Sequence, residues 1–219
     1  MTTTRPAAGG GRWVSIDPAR VGRWVDGFRS RHGDFVQRPQ EYGVLLAAFD
    51  GATAGLHAPP GAPVAGDLAD FVAAAERPRR IALLLARKGA VAAGIAAGPE
   101  LVASKVDSHY VQGRTAAGGW SQQRFARRRD NQARAAARDA AEIAVRVLLP
   151  EADRLDALVC GGDRRALDAI LADRRLAPLV ALRAERLLDV PEPRHAVLVE
   201  AIAAARAVAI RVTDGDGAG

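Results

Sequence analysis

Apolar residues recur in two rhythms along this 219-residue chain. Near the start they fall three and four apart. Val21, Trp24, Val25 and Phe28 form one stripe, the mark of a helix with a single buried face. Asp17 followed by Pro18 supplies an N-cap and a proline at the first helical position, so the pattern predicts a helix through about Arg29. Before it, Trp13 to Ile16 has strand composition; after it, Ser30 to Gln40 is polar and reads as a loop. Gly43 to Phe49 is a continuous apolar run, and Asp50-Gly51 is a hairpin signal that returns the chain along Ala52 to His57. Asp67 caps a short predicted helix through about Ala75, and Arg77-Pro78-Arg79-Arg80 then interrupts the pattern.

The second part of the chain begins with three strand patterns separated by turns: Ile81 to Ala86, Ala90 to Ala97 and Leu101 to Tyr110. In the third, strict alternation places Leu101, Ala103, Lys105, Asp107 and His109 on one face, and Val102, Ser104, Val106, Ser108 and Tyr110 on the other. From Ser121 to about Leu149 the rhythm is helical, with a stripe at Phe125, Ala133, Ala136, Ala140, Ile143, Val147 and Leu148. Pro150 stops it. Asp156 to Cys160 reads as a buried strand, Gly161-Gly162-Asp163 as a turn into a helix ending near Ala172, and Leu176 to Val190 as a short helix followed by a strand. A helix from Arg194 to Ala205 and a strand from Val208 to Val212 complete the pattern.

This order predicts an α/β fold with a mixed β-sheet, antiparallel at first and then built by crossovers, with helices on both faces. The ribonuclease-H-like architecture has a related arrangement. The expected organisation is a disordered tail over 1–11, an N-terminal α/β extension over 12–78 (helix plus β-hairpin), a main domain over 79–213 and a disordered tail over 214–219.

Composition adds a polyanionic partner to this picture. Hydrophobic residues make up 49% of the chain, enough for a sizeable core, yet the net charge is +6 and the pI is near 10.5. That charge is concentrated. Gly113 to Arg138 holds seven arginines against one acid, Asp130, and nets +6 by itself. Cys160 is the single cysteine and reads as a buried thiol, which excludes a disulfide framework and fits a reducing, cytoplasmic setting. The N-terminus has no apolar signal core, and no apolar run is long enough to span a bilayer, so no membrane partner is expected.

Most candidate chemistry reduces to simpler readings. Asp107, Glu142 and Asp156 lack the spacing of a metal-binding nuclease centre. The histidines His32, His57, His109 and His195 are scattered, so no metal site is predicted. Gly161-Gly162 reads as a tight strand-to-helix turn, since it lacks a nucleotide loop's lysine.

The arginine stretch resists such a reading. A helix N-terminus carries partial positive charge, yet Arg124, Arg127, Arg128 and Arg129 crowd into the first turns of the predicted helix. Arg127, Arg134 and Arg138 continue along a polar face. A merely solvated face mixes signs, whereas this one fits RNA. Ahead of it, Gly118 and Gly119 form a flexible segment that leads to Gln122 and Gln123. A glutamine cannot serve as a general base at neutral pH. It can orient a water toward an ester carbonyl while neighbouring amides steady the oxyanion.

Gly118 to Gln122 reads GGWSQ, with GRTAA ahead and RFARRR behind. This combination resembles the Vms-like release-factor family, ribosome-associated peptidyl-tRNA hydrolases with bacterial, notably actinobacterial, and eukaryotic forms. The family is related to the catalytic middle domain of the eukaryotic and archaeal translation termination factor, which carries a Gly-Gly-Gln loop ahead of a long helix. The resemblance covers roughly Ile81 to Val212, with the actinobacterial form extending from Trp13 onward, and makes 79–213 the release-factor-like catalytic domain. It implies a ribosome-rescue or quality-control enzyme that hydrolyses the peptide–tRNA ester on stalled ribosomes or separated large subunits. The catalytic role maps onto Gln122, with Gly118, Gly119 and Ser121 forming the loop, and Gln123 as the alternative because two residues separate the glycines from the first glutamine. Arg114, Arg124, Arg127, Arg128 and Arg134 are the implied contacts to ribosomal RNA or tRNA. No metal or organic cofactor is implied, and a monomer is expected. The competing expectation is a non-catalytic RNA- or ribosome-binding module that uses the same basic helix.

Overall fold

The computed structural model describes residues 2–108 and 122–215. They form two compact units, Met1–Arg79 together with Ala203–Gly219, and Arg80–Ile202.

The first unit opens with strands β1 (Thr3–Pro6) and β2 (Arg12–Ile16). The side chain of Asp17 accepts a hydrogen bond from the amide of Ala19 at 3.0 Å, and Pro18 starts a single 3-10 turn into helix α1 (Val21–His32). Arg29, Arg31 and His32 occupy the last turn of α1, where the helix dipole favours cations, and Gly33 ends it at a φ of 74°. Strands β3 (Phe35–Gln40), β4 (Gly43–Ala48) and β5 (Thr53–His57) follow, then helix α2 (Leu68–Glu76), capped by Asp67. The closing strand of the described chain, Val208–Thr213, runs antiparallel between β2 and β5 in a six-stranded sheet. Val14, Ile16, Leu46, Leu56 and Ile210 on this sheet pack with Val25 and Phe28 of α1 and Phe71 of α2.

Four expectations change here. The stretch read as a disordered tail contains β1, and the stretch read as a loop contains β3. Both are edge strands, both carry a proline (Pro6, Pro39), and neither buries a full apolar face, so no alternation announces them. The closing strand, expected within a domain spanning 79–213, lies in the middle of the first unit's sheet. Its alternation of buried Val208, Ile210 and Val212 shows a half-buried strand but not which sheet receives it. Asp214, assigned to the disordered C-terminal tail, forms an ion pair with Arg12.

The second unit begins with β6 (Arg80–Arg87), whose residues Ile81 to Ala86 are all buried, as suits a central strand covered on both faces. Lys88 and Gly89, at φ 53° and 81°, make a two-residue turn into β7 (Ala90–Ala97), and β8 (Glu100–Ser108) pairs antiparallel with β7. After helix α3 (Gln122–Val147) and a 3-10 segment with Pro150, β9 (Ala157–Gly162) pairs parallel with β6. Helices α4 (Arg164–Leu171) and α5 (Ala177–Ala181) cross to β10 (Arg183–Leu188), parallel to β9. Helix α6 (His195–Arg206) then leads to the closing strand, β11. The sheet order is β10-β9-β6-β7-β8. Three initial strands of a meander, extended by two parallel crossovers, give the expected ribonuclease-H-like mixed sheet.

Helices cover both faces. Ala82, Leu84, Val91, Ala93, Ile95 and Leu158 face a core shared with α3, α4 and α5. On the opposite face, a Cβ at Gly94 would meet Leu198 of α6 at 2.8 Å. One detail of the predicted alternation fails. Ala103 sits opposite Ile95 but Leu101 sits opposite Ala96, so the register slips at Val102. Neighbours 95 and 96 point to opposite faces, hence Leu101 and Ala103 do too, and the alternation holds only from Ala103 onward.

Candidate nucleic-acid interface

Within the described residues, the basic stretch found in the sequence, from Gln122 to Arg138, is the N-terminal part of α3. At 26 residues this helix is about 39 Å long by its 1.5 Å rise, whereas the eight residues of β6 reach about 26 Å. Its C-terminal half is anchored. Ala140, Ala141, Ile143, Ala144 and Leu148 are buried against the sheet, and the run of alanines lets the helix lie close to the strands. The helix packs over β7 and β8 and leads back to the start of β9, which runs parallel to β6, so α3 is antiparallel to β6 and β9 and its excess length passes their C-terminal ends. Strand β8 ends at that same edge, since Ser108 pairs with Ala90 at the start of β7.

Gln132, Ala133 and Arg134 are all exposed. Three consecutive helical residues point 100° apart, so at this level no side of α3 is covered. Ala133, expected in the buried stripe, is therefore outside it; packing starts near Ala137.

Charge follows the same division. In the anchored half, Arg175 Nη2 donates to Glu142 Oε1 at 2.5 Å and to Asp173 Oδ2 at 2.7 Å. These contacts hold the Asp173 carboxyl down at about 2 and pull Glu142 below its ordinary range, mainly through the Arg175 hydrogen bond. Among the described residues no carboxylate pairs with Arg134 or Arg138, both exposed. In the packed part Glu142 is taken by Arg175, whereas among the described residues Arg134 and Arg138 have no carboxylate partner.

Gln122 and Gln123 are the first two residues of α3, and Arg124, Arg127 and Arg128 follow within its first two turns. The glutamines thus open the helix itself rather than riding on a segment ahead of it. Gly118, Gly119, Ser121 and Arg114 lie outside the described residues, as does His109. Lys105 is exposed on the Ala103 face of β8, the face toward α3, and Arg87 and Lys88 sit at the turn beside the same sheet edge. The sequence contains these two lysines alone, and their placement beside the helix needed the strand register.

The alternative chemistries separate in space. Asp107 is near the end of β8, whereas Asp156 precedes β9 at the opposite end of the sheet and accepts from the amide of Arg80 at 2.7 Å. Glu142 is held by Arg175. His32 pairs with Asp50, and the His57 ring stacks on Tyr42. Among the described residues no cluster of three metal-ligating side chains occurs, and no helix is long and apolar enough to cross a membrane. Cys160 is buried, and burial raises its thiol to about 11. At Gly161-Gly162, Asp163 caps α4 with its own carboxylate, leaving a tight turn and no ligand cradle.

The family described as the Actinobacteria/chloroflexi VLRF1 release factor matches residues 79–211, more than half of the chain. Among solved structures, the chain is similar to the archaeal translation termination factor aRF1, with 17% identity and a TM-score of 0.39 over 74% of this chain and 49% of that one. It is also similar to a structure described only as an archaeal protein, with 18% identity and a TM-score of 0.38 over 62% of this chain and 36% of that one. The chain thus spans half or less of the length of these two relatives. No curated protein sequence matches it. By the match over residues 79–211, the chain belongs to the actinobacterial and chloroflexi VLRF1 release-factor family.

Proposed function

We propose that the protein is a cytoplasmic peptidyl-tRNA hydrolase that works as a monomer on stalled ribosomes or separated large subunits. The observation that carries this reading is the union of a release-factor family match with two glutamines at the head of an arginine-rich helix that outruns its sheet. Gln122, or Gln123 if the register differs by one, orients a water toward the carbonyl of the ester between the peptide and the terminal ribose. Addition of that water gives a tetrahedral oxyanion. Its collapse breaks the carbon–oxygen bond to ribose, and the water's proton ends on the departing hydroxyl. The first amides of a helix have no intrahelical acceptor, so those at the start of α3 are suited to the oxyanion. Gly118, Gly119 and Ser121 give the loop its close approach, and Arg114, Arg124, Arg127, Arg128 and Arg134 hold the RNA.

The test is peptide release from stalled ribosome complexes by wild type, Gln122→Ala and Gln123→Ala. Loss of release of about 100-fold or more in Gln122→Ala is expected, on the scale of a lost orienting or oxyanion group. Loss in Gln123→Ala alone moves the role by one residue. Equal release by all three rejects a glutamine mechanism, and binding without release by wild type favours the non-catalytic RNA-binding module.

A further inference from the structure

We propose that the outward face of α1, in the first unit, is a second RNA-contacting surface that holds a stretch of phosphodiester backbone. It deepens the reading above and rests on it only for the choice of RNA as the polyanion.

Arg20, Arg23 and Arg31 line a groove of about 220 Å³ together with Trp24 and Gly27. All three arginines are exposed, and among the described residues no carboxylate pairs with any of them. Elsewhere pairing is common: Arg12, Arg29, Arg80, Arg87 and Arg183 each have an acidic partner. Asp214 senses Arg31 electrostatically, but its carboxylate is taken by Arg12. The one acid on α1, Asp26, lies more than 100° around the helix from Arg20 and Arg31 and borders the groove only beside Arg23, about 60° away, with no ion pair between them among the described residues.

The spacing selects the ligand. Arg20 and Arg31 are separated by about 16 Å along the axis at 1.5 Å per residue, which suits a linear polyanion better than a single phosphate. Guanidinium groups match phosphate oxygens with paired donors. Gly27 is the floor. Glycine is disfavoured inside a helix, and a Cβ there would touch only the Arg31 guanidinium at 3.7 Å, so no packing demands it. Its bareness lets a ligand approach the helix between the arginines. Trp24, held by stacking on Phe28 at 5.7 Å, remains partly exposed and offers an apolar wall for a ribose or a base. A membrane surface would need flanking apolar anchors, which this face lacks apart from Trp24.

The experiment measures binding of a labelled single-stranded RNA to the full chain over a range of salt. The variants are Arg20→Gln/Arg23→Gln/Arg31→Gln and, separately, Gly27→Glu. Each is expected to weaken binding about 10-fold at physiological salt, with an unchanged thermal midpoint. The triple variant should also lower the log–log salt slope by about 2, at about 0.7 per phosphate contact on a single strand. Wild-type affinity and slope in both variants overturn the proposal. So does competition by polyglutamate as effective as RNA at equal charge, or by anionic vesicles. Peptide release separates the two readings. At saturating protein the groove variants should release peptide at the wild-type rate, whereas Gln122→Ala should bind RNA normally and fail to release.

Discussion

A methyl group at Gly162 would sit 2.2 Å from the carbonyl oxygen of Ala86, and the residue already has a φ of 98°. Gly162→Ala therefore combines a backbone clash with a left-handed strain, and we expect it to lose about 2–3 kcal/mol in urea unfolding. Asp163 beside it accepts from the amides of Arg165 and Ala166, and Asp163→Ala should cost about 1 kcal/mol by the same measurement. Acid makes a different demand at Asp173. Arg175 depresses its folded value from 3.8 to about 2, so the pair's contribution is complete above about pH 4 and disappears as pH falls toward 2. Arg175→Ala should flatten that limb of the stability–pH curve by lowering stability at neutral pH toward its value in acid, read by urea unfolding across pH. At this scale the sequence was informative about caps and turns: Asp17, Asp67, Asp163 and the glycine pair all have the roles their neighbours imply. It could not show that Arg175 reaches 33 positions back to Glu142, a contact that exists only once α3 and the 3-10 turn Arg174–Leu176 after α4 are packed.

Helix α3 changes character along its length, and substitutions should report where. Ala144 is fully buried against the sheet, so Ala144→Leu overpacks and should cost about 1–3 kcal/mol. Ala133→Leu, in the exposed part, should change stability by no more than about 0.5 kcal/mol. Arg134→Gln should likewise leave stability alone but reduce the salt slope of RNA binding by about one phosphate contact. The existence of α3, its stop at Pro150 and the meander before it were legible because each has a strong period over many residues. The point where α3 leaves the sheet was not. Alanines populate both halves, and Ala133 fits the stripe by spacing while lying beyond the strands it would pack on. Strands β1 and β3 escaped for the opposite reason: edge positions relax the need for alternating apolar residues, and Pro6 and Pro39 argue against pairing unless the free edge is known. The bulge at Val102 was equally hidden, since alternation read from sequence assumes a register without slips.

Across the whole molecule, the order of strands made the mixed sheet of the second unit readable, and GGWSQ with its arginines marked the candidate site. Strand β11 shows the limit. Its pattern of Val208, Ile210 and Val212 would serve either sheet; what decides is the antiparallel fit on both sides, to β2 and to β5. Ile210 is fully buried there, and Ile210→Ala should destabilise the first unit by about 2–4 kcal/mol, read by hydrogen exchange in β2 and β5. Charge on this scale is partitioned as well, with one set of arginines on α3 and another on α1.

The position of β11 also sets a timetable for biosynthesis. Ala209 pairs with His57, so the central contact of the first sheet joins segments about 150 positions apart, and everything of the second unit is made between them. As the polypeptide is synthesised, residues 1–79 emerge early yet wait with an open sheet whose middle strand does not exist, while Arg80–Ile202 have all their own strands and can condense first. Nascent chains halted before residue 207 should expose β2 and β5 to protease and protect β6 and β9. Chains extended past Thr213, with enough linker to clear the exit tunnel, should protect all four.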